Sequence, residues 1–294
     1  MELRVLQYFL AVTREQSISR AAESLHLAQP NLSRHLNDMA EEPGQPRFIR
    51  SNSNITLTEE GMILRKRAEE ILELVAKATD EITLSDETVA GDITIGAGES
   101  EAMRFLVKAG AALQKEYPLV HLHVISGDKI TALEYLDRGL IDFGLLLGHI
   151  DTAKYESIKI PFVEKFGVLM RQDSPLAGKE ALCPEDLWDK PLILSRQTAQ
   201  DSNIHNVYSI LGKEREELNV VATCNLLFNG SLMVEEGMGY ALTLDKIINT
   251  TGSSNLCFRP LQSSPDLEWH MVWKKYQVFT KAAEKFLGKI QEML

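Results

Sequence analysis

Residues 18–40 read ISRAAESLHLAQPNLSRHLNDMA, two short helical patterns parted by a break too tight to be anything but a turn. In the first half Ala21, Ala22 and Leu25 share one face, and the two alanines are small enough to let a second helix cross closely over them. Ser19 stands where an N-cap is needed. In the second half Leu32, Leu36 and Met39 recur at i, i+4 and i+7, so they share a buried face and leave Gln29, Asn31, Ser33, Arg34 and Asn37 pointing outward. Pro30 suits a first helical turn, which places the start of this helix near residue 29. The pattern is a helix-turn-helix, and its outer row of amide, hydroxyl and guanidinium groups is the chemistry that reads base edges in a DNA major groove. The plain alternative is a solvated polar face on an ordinary helical hairpin.

Outward from this stretch, Leu3, Leu6, Phe9, Leu10 and Thr13 form a first helix able to roof the pair. Glu41-Glu42-Pro43-Gly44 must end the third helix, because a residue before proline is driven out of the α region. Short strand-like runs at Arg47–Arg50 and Ile55–Leu57 flank Ser51-Asn52-Ser53-Asn54, a turn by composition, and together make a β-wing with Arg50 near its tip. Thr58 then caps a long helix with Glu59 and Glu60 in its first turn. Leu64, Ala68, Ile71, Val75, Ala78 and Ile82 follow at spacings 4, 3, 4, 3, 4. That heptad stripe predicts pairing with the same helix of a second chain, with packing on its own body as the alternative.

From Ala90-Gly91 the pattern changes. Strands at 92–97, 120–125 and 142–147 alternate with helices at 101–116 and 129–138, which implies a parallel sheet with right-handed crossovers. A second series runs through strands at 166–171, 191–195, 218–224 and 240–243, with helices near 202–213 and 229–236. A last strand at 268–273 and an amphipathic helix at 278–293 follow. Two α/β subdomains with a ligand cleft between them is the construction expected.

The 294 residues suffice for two or three domains, and 44% apolar with 25% charged residues is ordinary for a soluble globular chain. A formal net charge of −11 excludes a wholesale nucleic-acid coat. Residues 1–60 carry six arginines against eight acids, but Arg34, Arg47 and Arg50 fall on the reading helix and the element after it. No basic start followed by an apolar run and no stretch of 18 apolar residues is present, so the expectation is a soluble cytoplasmic protein with no membrane partner. Cys183, Cys224 and Cys257 form no C-x-x-C pair and read as buried thiols. The seven histidines lack metal-ligand spacing. No G-x-S-x-G, H-E-x-x-H or P-loop appears. Gly96-Ala97-Gly98-Glu99-Ser100-Glu101 fails as a dinucleotide fingerprint at its sixth position. No cofactor, no metal and no catalytic residue is expected.

In its order of parts the whole chain resembles the LysR-type transcriptional regulators. The carrying residues are Leu3-x-x-Leu6-x-x-Phe9, Ser19-Arg20-Ala21-Ala22-x-x-Leu25, Gln29-Pro30-x-Leu32-Ser33-x-x-Leu36, Gly44-x-x-x-Phe48-x-Arg50 and Leu57-Thr58-x-x-Gly61. Gly91-x-Ile93-x-Ile95-Gly96, Tyr117-Pro118, Leu136-x-x-Gly139-x-x-Asp142 and Gly237-x-Gly239 support them. The resemblance implies an α/β chain with an N-terminal winged helix-turn-helix (1–60) and a long dimerising linker helix (58–88). It also implies a two-subdomain effector domain like the periplasmic binding proteins (91–161 with 267–294, and 162–266). It implies double-stranded DNA, a small-molecule effector, a homodimer or tetramer and RNA polymerase as partners. Pro43, Gln45 and Arg47 stand where the family usually shows apolar residues, and Ala28 where a serine often caps the reading helix.

The DNA-contacting residues expected are therefore Gln29, Asn31, Ser33, Arg34 and Asn37, with Arg20 and Arg50 on the backbone. For the effector, the resemblance points to Gly98-Glu99-Ser100, to Ser126-Gly127-Asp128 and to Ser195-Arg196-Gln197-Thr198. Glu99 either caps the helix that follows it or selects an amine-bearing ligand. The competing function is a small-molecule binding protein or cleft-type enzyme whose N-terminal helices serve only assembly, which would need neither the polar row nor the wing.

Overall fold

The computed structural model describes residues 2–41, 47–50, 55–83, 88–196, 207–262 and 264–294. Two compact units, Met1–Asp86 and Glu87–Leu294, divide the chain.

In the first unit α1 (Leu3–Glu15), α2 (Ile18–Ser24) and α3 (Gln29–Glu41) pack on one another. Leu6, Phe9, Val12, Ala21, Ala22, Leu32, Leu36 and Met39 are buried together, so the helical spacing has placed each apolar side chain inward. The cap of α2 differs from expectation. Ser17, not Ser19, holds the N-cap position, its Oγ accepting the backbone N–H of Arg20, while Ser19 is an exposed residue within the helix. The chain can turn this early because Gln16 adopts a left-handed conformation (φ 52°) at the end of α1. The turn between α2 and α3 likewise uses His26 at φ 54°.

The wing is an antiparallel pair, β1 (Phe48–Arg50) and β2 (Ile55–Leu57), with Phe48 opposite Leu57. Two contacts tie it to the helices: the Ile55 N–H donates to the Gln16 carbonyl at 3.1 Å, and the Phe48 ring lies 5.1 Å from that of Phe9. Arg47 bears on the departure noted in sequence. Its guanidinium donates to the Met39 carbonyl in the last turns of α3. A hydrogen bond to an otherwise open helix-end carbonyl thus links wing and helix where an apolar residue was expected. Pro43, Gln45 and the turn at 51–54 lie outside the described residues.

The rod α4 (Glu59–Thr83) has 25 residues, about 37 Å at 1.5 Å per residue. Its apolar stripe is buried near the start of the rod and exposed farther along. Ala68 is fully covered within its own unit, and Leu64 and Leu72 pack on the same core. Farther along the same stripe Ile71, Val75 and Ala78 are exposed, and Ile63 and Leu74 are exposed to one side of it. Of the residues expected at a partner helix, Leu64 and Ala68 are therefore spent on packing against their own body. Ile71, Val75 and Ala78 remain outward, and the Ile82 side chain lies outside the described set. Among the described residues no helix is long and apolar enough to cross a membrane.

The second unit begins with β3 (Gly91–Ala97), α5 (Met103–Glu116), β4 (Val120–Ser126), α6 (Lys129–Asp137), β5 (Phe143–Leu147) and β6 (Tyr155–Glu164). The chain then leaves for β7 (Phe166–Arg171), β8 (Leu192–Ser195), α7 (Val207–Leu211), β9 (Val220–Cys224), α8 (Leu227–Glu235), β10 (Tyr240–Leu244) and β11 (Leu256–Pro260). It returns with β12 (Leu267–Lys274) and closes on α9 (Lys281–Glu292). The first sheet has the order β4-β3-β5-β12-β6 and the second β11-β7-β10-β8-β9. Each has a parallel heart, β3 between β4 and β5 and β8 between β9 and β10. Each is extended by antiparallel strands, β12 and β6 in the first and β7 and β11 in the second, whose direction the sequence did not indicate, while the three strands read as parallel are so.

β6 stays in the first sheet as far as Glu164, three residues beyond the expected change of subdomain. At the crossings the Phe166 N–H donates to Ser264 Oγ at 2.7 Å and the Leu261 N–H to the Phe166 carbonyl at 3.0 Å, so the outgoing and returning chains are bonded side by side. Within the first sheet the buried Asp142 carboxylate accepts the Thr94 N–H at 2.8 Å, extending the ladder between β3 and β5 past its last strand pair.

Candidate functional site

The first candidate surface is the outer face of α3. With Leu32, Leu36 and Met39 fixed in the core, helical geometry leaves Gln29, Asn31, Arg34 and Asn37 exposed and Ser33 half-buried. Among the described residues no ion pair holds Arg34, whose side chain is exposed. Asp38, one of the eight acids counted in residues 1–60, is exposed on the same helix and adds a negative charge to it. His35 is half-buried with its ring 5.6 Å from Tyr8, a packing position. Ala28 gives the helix no side-chain cap; its carbonyl accepts the N–H groups of Asn31 and Leu32. Arg20 is committed elsewhere: its Nη2 and Nε donate to the Glu15 carbonyl at 2.6 and 3.2 Å, closing the end of α1. A backbone contact to DNA from Arg20 would have to be made by a guanidinium already half engaged. Arg50 pairs through its backbone with Ile55, and its side chain lies outside the described set.

The second candidate is the cleft at the carboxyl ends of the parallel strands of both sheets, where doubly wound folds place ligands. A cavity of 130 Å³ there is lined by the ends of β3, β5, β8, β9 and β10 and by the start of α8. It brings together Glu99, Gly127 and Ser195 of the expected set. A neighbouring cavity of 280 Å³ takes in Glu99 again, with Ser100 and Ser126. Arg196 lines neither and is exposed; its backbone N–H pairs with the Cys224 carbonyl, continuing the β8–β9 ladder. Thr198 and Gln197 lie outside the described residues. Asn225, Leu227, Thr243 and Trp269 also line the first cavity, and no sequence motif marked them.

The side chains here are held in specific states. Glu99 does not cap the helix that follows it. The helix after it starts later, with Ala102 as a cap that offers no side chain, and the Glu99 carboxylate crosses the cleft instead. Its Oε2 accepts the N–H of Leu227 at 2.6 Å, the first residue of α8. Asp128 caps α6 by accepting the Thr131 N–H at 2.8 Å. Burial works against its ionisation, but the Thr131 bonds and the charge of Arg196 outweigh it and hold the carboxyl below its usual range. Behind the cavity Glu164 is buried, accepting the Trp269 indole N–H and, at 3.4 Å, the Glu101 N–H. Burial pushes its carboxyl up, against the lowering effect of those bonds. Burial first and the charge of Glu99 second push the Cys224 thiol up, so it is not a ready thiolate. All three cysteines are free.

Comparison with known proteins agrees with this geometry. Residues 3–62 match the family model described as bacterial regulatory helix-turn-helix protein, lysR family, and residues 86–294 match the LysR substrate binding domain. The HTH-type transcriptional regulator BsdA of Bacillus subtilis (strain 168) is 28% identical over 296 residues, covering 98% of this chain and 99% of its own. The Hca operon transcriptional activator HcaR of Escherichia coli (strain K12) is 27% identical over 300 residues, covering 100% and 98%. Among solved structures, full-length CbnR complexed with its target DNA superposes with a TM-score of 0.77 over 100% of both chains at 17% identity, a likeness of fold.

Proposed function

Because the chain belongs to the LysR family of DNA-binding transcription regulators, we propose that α3 reads duplex DNA through Gln29, Asn31, Ser33, Arg34 and Asn37, while Arg50 and Arg20 position the backbone. The amides suit adenine edges and Arg34 suits guanine or a phosphate. A small-molecule effector sits in the cleft against Glu99 and Ser195 and changes how the protein is seated on its operator. The exposed stripe Ile63, Ile71, Leu74, Val75 and Ala78 of α4 meets a second copy, since two half-sites about one helical turn apart need two readers at a fixed spacing. A tetramer, contact with RNA polymerase and a cytoplasmic location complete this reading.

The observation that carries it is the exposure of a polar row on α3 opposite three buried apolar residues, on a helix whose wing is tied down by Phe48 and Arg47. An assembly module would have no use for that row. The test is a gel shift and footprint on the gene's own upstream DNA at fixed salt, because unspecific binding varies steeply with ionic strength. Arg34→Ala should weaken binding by roughly tenfold or more, the worth of a bidentate base contact, and leave sedimentation unchanged. Wild-type affinity in the variant would overturn the assignment.

A further inference from the structure

Glu99 is a residue that a cleft built for an anionic effector has no reason to carry. Its carboxylate lines both cavities, and its bond to the Leu227 N–H places a negative charge at the start of α8. No side chain of α8 itself caps that end. The helix terminus that would welcome an incoming anion is thus already filled by an anion of the chain. The cations nearby do not restore an anion site. Among the described residues lining the two cavities the only cations are Lys129 and Lys246, and Lys129 Nζ donates to the carbonyls of His149 and Leu147 at 2.7 and 3.5 Å. A second carboxylate beside Glu99 would meet like-charge repulsion in a partly desolvated space. Ser100 Oγ, buried and without a hydrogen-bond partner among the described residues, stands on the second cavity beside Glu99 as a further acceptor.

Much of the rest of the wall is apolar: Leu145, Leu147, Phe166, Leu242 and Trp269 line the 130 Å³ space, with Ser195, Asn225 and Thr243 as neutral polar groups among them. An apolar cavity of about 150 Å³ takes one benzene, so the volume suits a single ring or an aliphatic group of similar bulk. Resting on the effector reading above, we propose that the cleft takes a small primary amine, its ring-sized apolar body in the Leu/Phe/Trp-lined space and its ammonium on the Glu99 carboxylate. An ammonium carries three donors and no acceptor, and a carboxylate accepts more bonds than the one Leu227 supplies. Seated there, the amine contacts the residue that bridges the two walls of the cleft, which gives it a hold on their spacing.

The experiment is calorimetric titration of the full chain with three probes that share one ring: benzylamine, benzyl alcohol and benzoate. Benzylamine should bind at least about tenfold tighter than benzoate, the scale of a charge-assisted bond replaced by a repulsion. Glu99→Gln should bring the amine down to the level of the alcohol. Benzoate binding as tightly as the amine, an amine affinity untouched in Glu99→Gln, or no binding of any probe would each overturn the proposal. The wild-type comparison decides alone should the variant not fold. A gel shift with and without benzylamine separates the two readings. An amine that binds yet leaves DNA binding unaltered overturns the effector role and keeps the site; intact DNA binding with no amine bound overturns the site alone.

Discussion

Replacing Gly61 by alanine strikes the joint between the wing and the rod. Gly61 lies in the first turn of α4, where its N–H donates to Thr58 Oγ1 at 3.0 Å. A Cβ added there would stand 2.1 Å from the Arg47 carbonyl oxygen and 3.1 Å from a Leu57 methyl. That carbonyl has little freedom to retreat. It accepts the Thr58 N–H at 3.3 Å, its own side chain is bonded to the Met39 carbonyl, and the next residue, Phe48, is paired with Leu57. Two effects oppose each other. Alanine is favoured over glycine within a helix by about 1 kcal/mol, while overpacking costs about 1–3 kcal/mol and belongs at the upper end here because the obstacle is backbone. The net expectation is a loss of about 1–2 kcal/mol, which for a unit of this size lowers its melting temperature by roughly 5–10 °C. Scanning calorimetry of the full chain reads this directly, with weaker operator binding as the companion effect because the wing must move. A variant melting at or above the wild type would mean that the Arg47 carbonyl swings freely and that the joint is not tight.

Three further outcomes are expected. Ser17→Ala should cost about 1 kcal/mol in urea denaturation, the usual worth of an N-cap, while Ser19→Ala, on an exposed helical position, should cost less; the reverse order would contradict the observed cap. Burial raises the Glu164 carboxyl above its unfolded value of 4.5, so the folded chain holds this proton more tightly than the unfolded one. Its contribution is therefore complete below pH 4.5 and is lost as pH rises through the raised folded value. Glu164→Gln should gain on the wild type in melting temperature from pH 4.5 upward, and parallel profiles would refute the buried-charge account. Asp128→Ala should destabilise the second unit by about 1 kcal/mol through loss of the α6 cap, and Asp128→Asn by less; because the Asp128 carboxyl is held low, the wild type loses this contribution only as pH falls through that lowered value.

Helices packed on a local neighbour were legible in the sequence, because Leu32, Leu36 and Met39 announce a buried face by spacing alone. Strands β6 and β11 were not. β6 carries Pro161 in its middle and β11 ends on Pro260, which reads as loop, yet each lies at the edge of its sheet, where a missing N–H breaks no ladder. The direction of β7 and β12 was equally hidden, since both enter their sheets without the helical crossover that enforces parallel pairing. On α4 the heptad spacing did not reveal how much of the stripe packs on its own body, which the contacts with α1 decide for Leu64 and Ala68. In the cleft, Glu99 was legible as an unusual carboxylate but its partner was not, because Leu227 contributes a backbone N–H from 128 residues away. Arg47 is the same case: a guanidinium that finds a carbonyl gives no signal in the pattern of apolar residues.

The route of the chain between the two sheets has a consequence for how the cleft is assembled. Glu164 and Leu267 are partners in the same ladder, so everything between them leaves and rejoins the first sheet at one spot. The intervening segment is a cassette. A short stitch from strand to strand would close the first sheet without it and leave that sheet's ladder intact, at the loss of the Glu99–Leu227 bond. One side of the 130 Å³ cavity is thus made by this segment, while the side that carries Glu99 belongs to the first sheet.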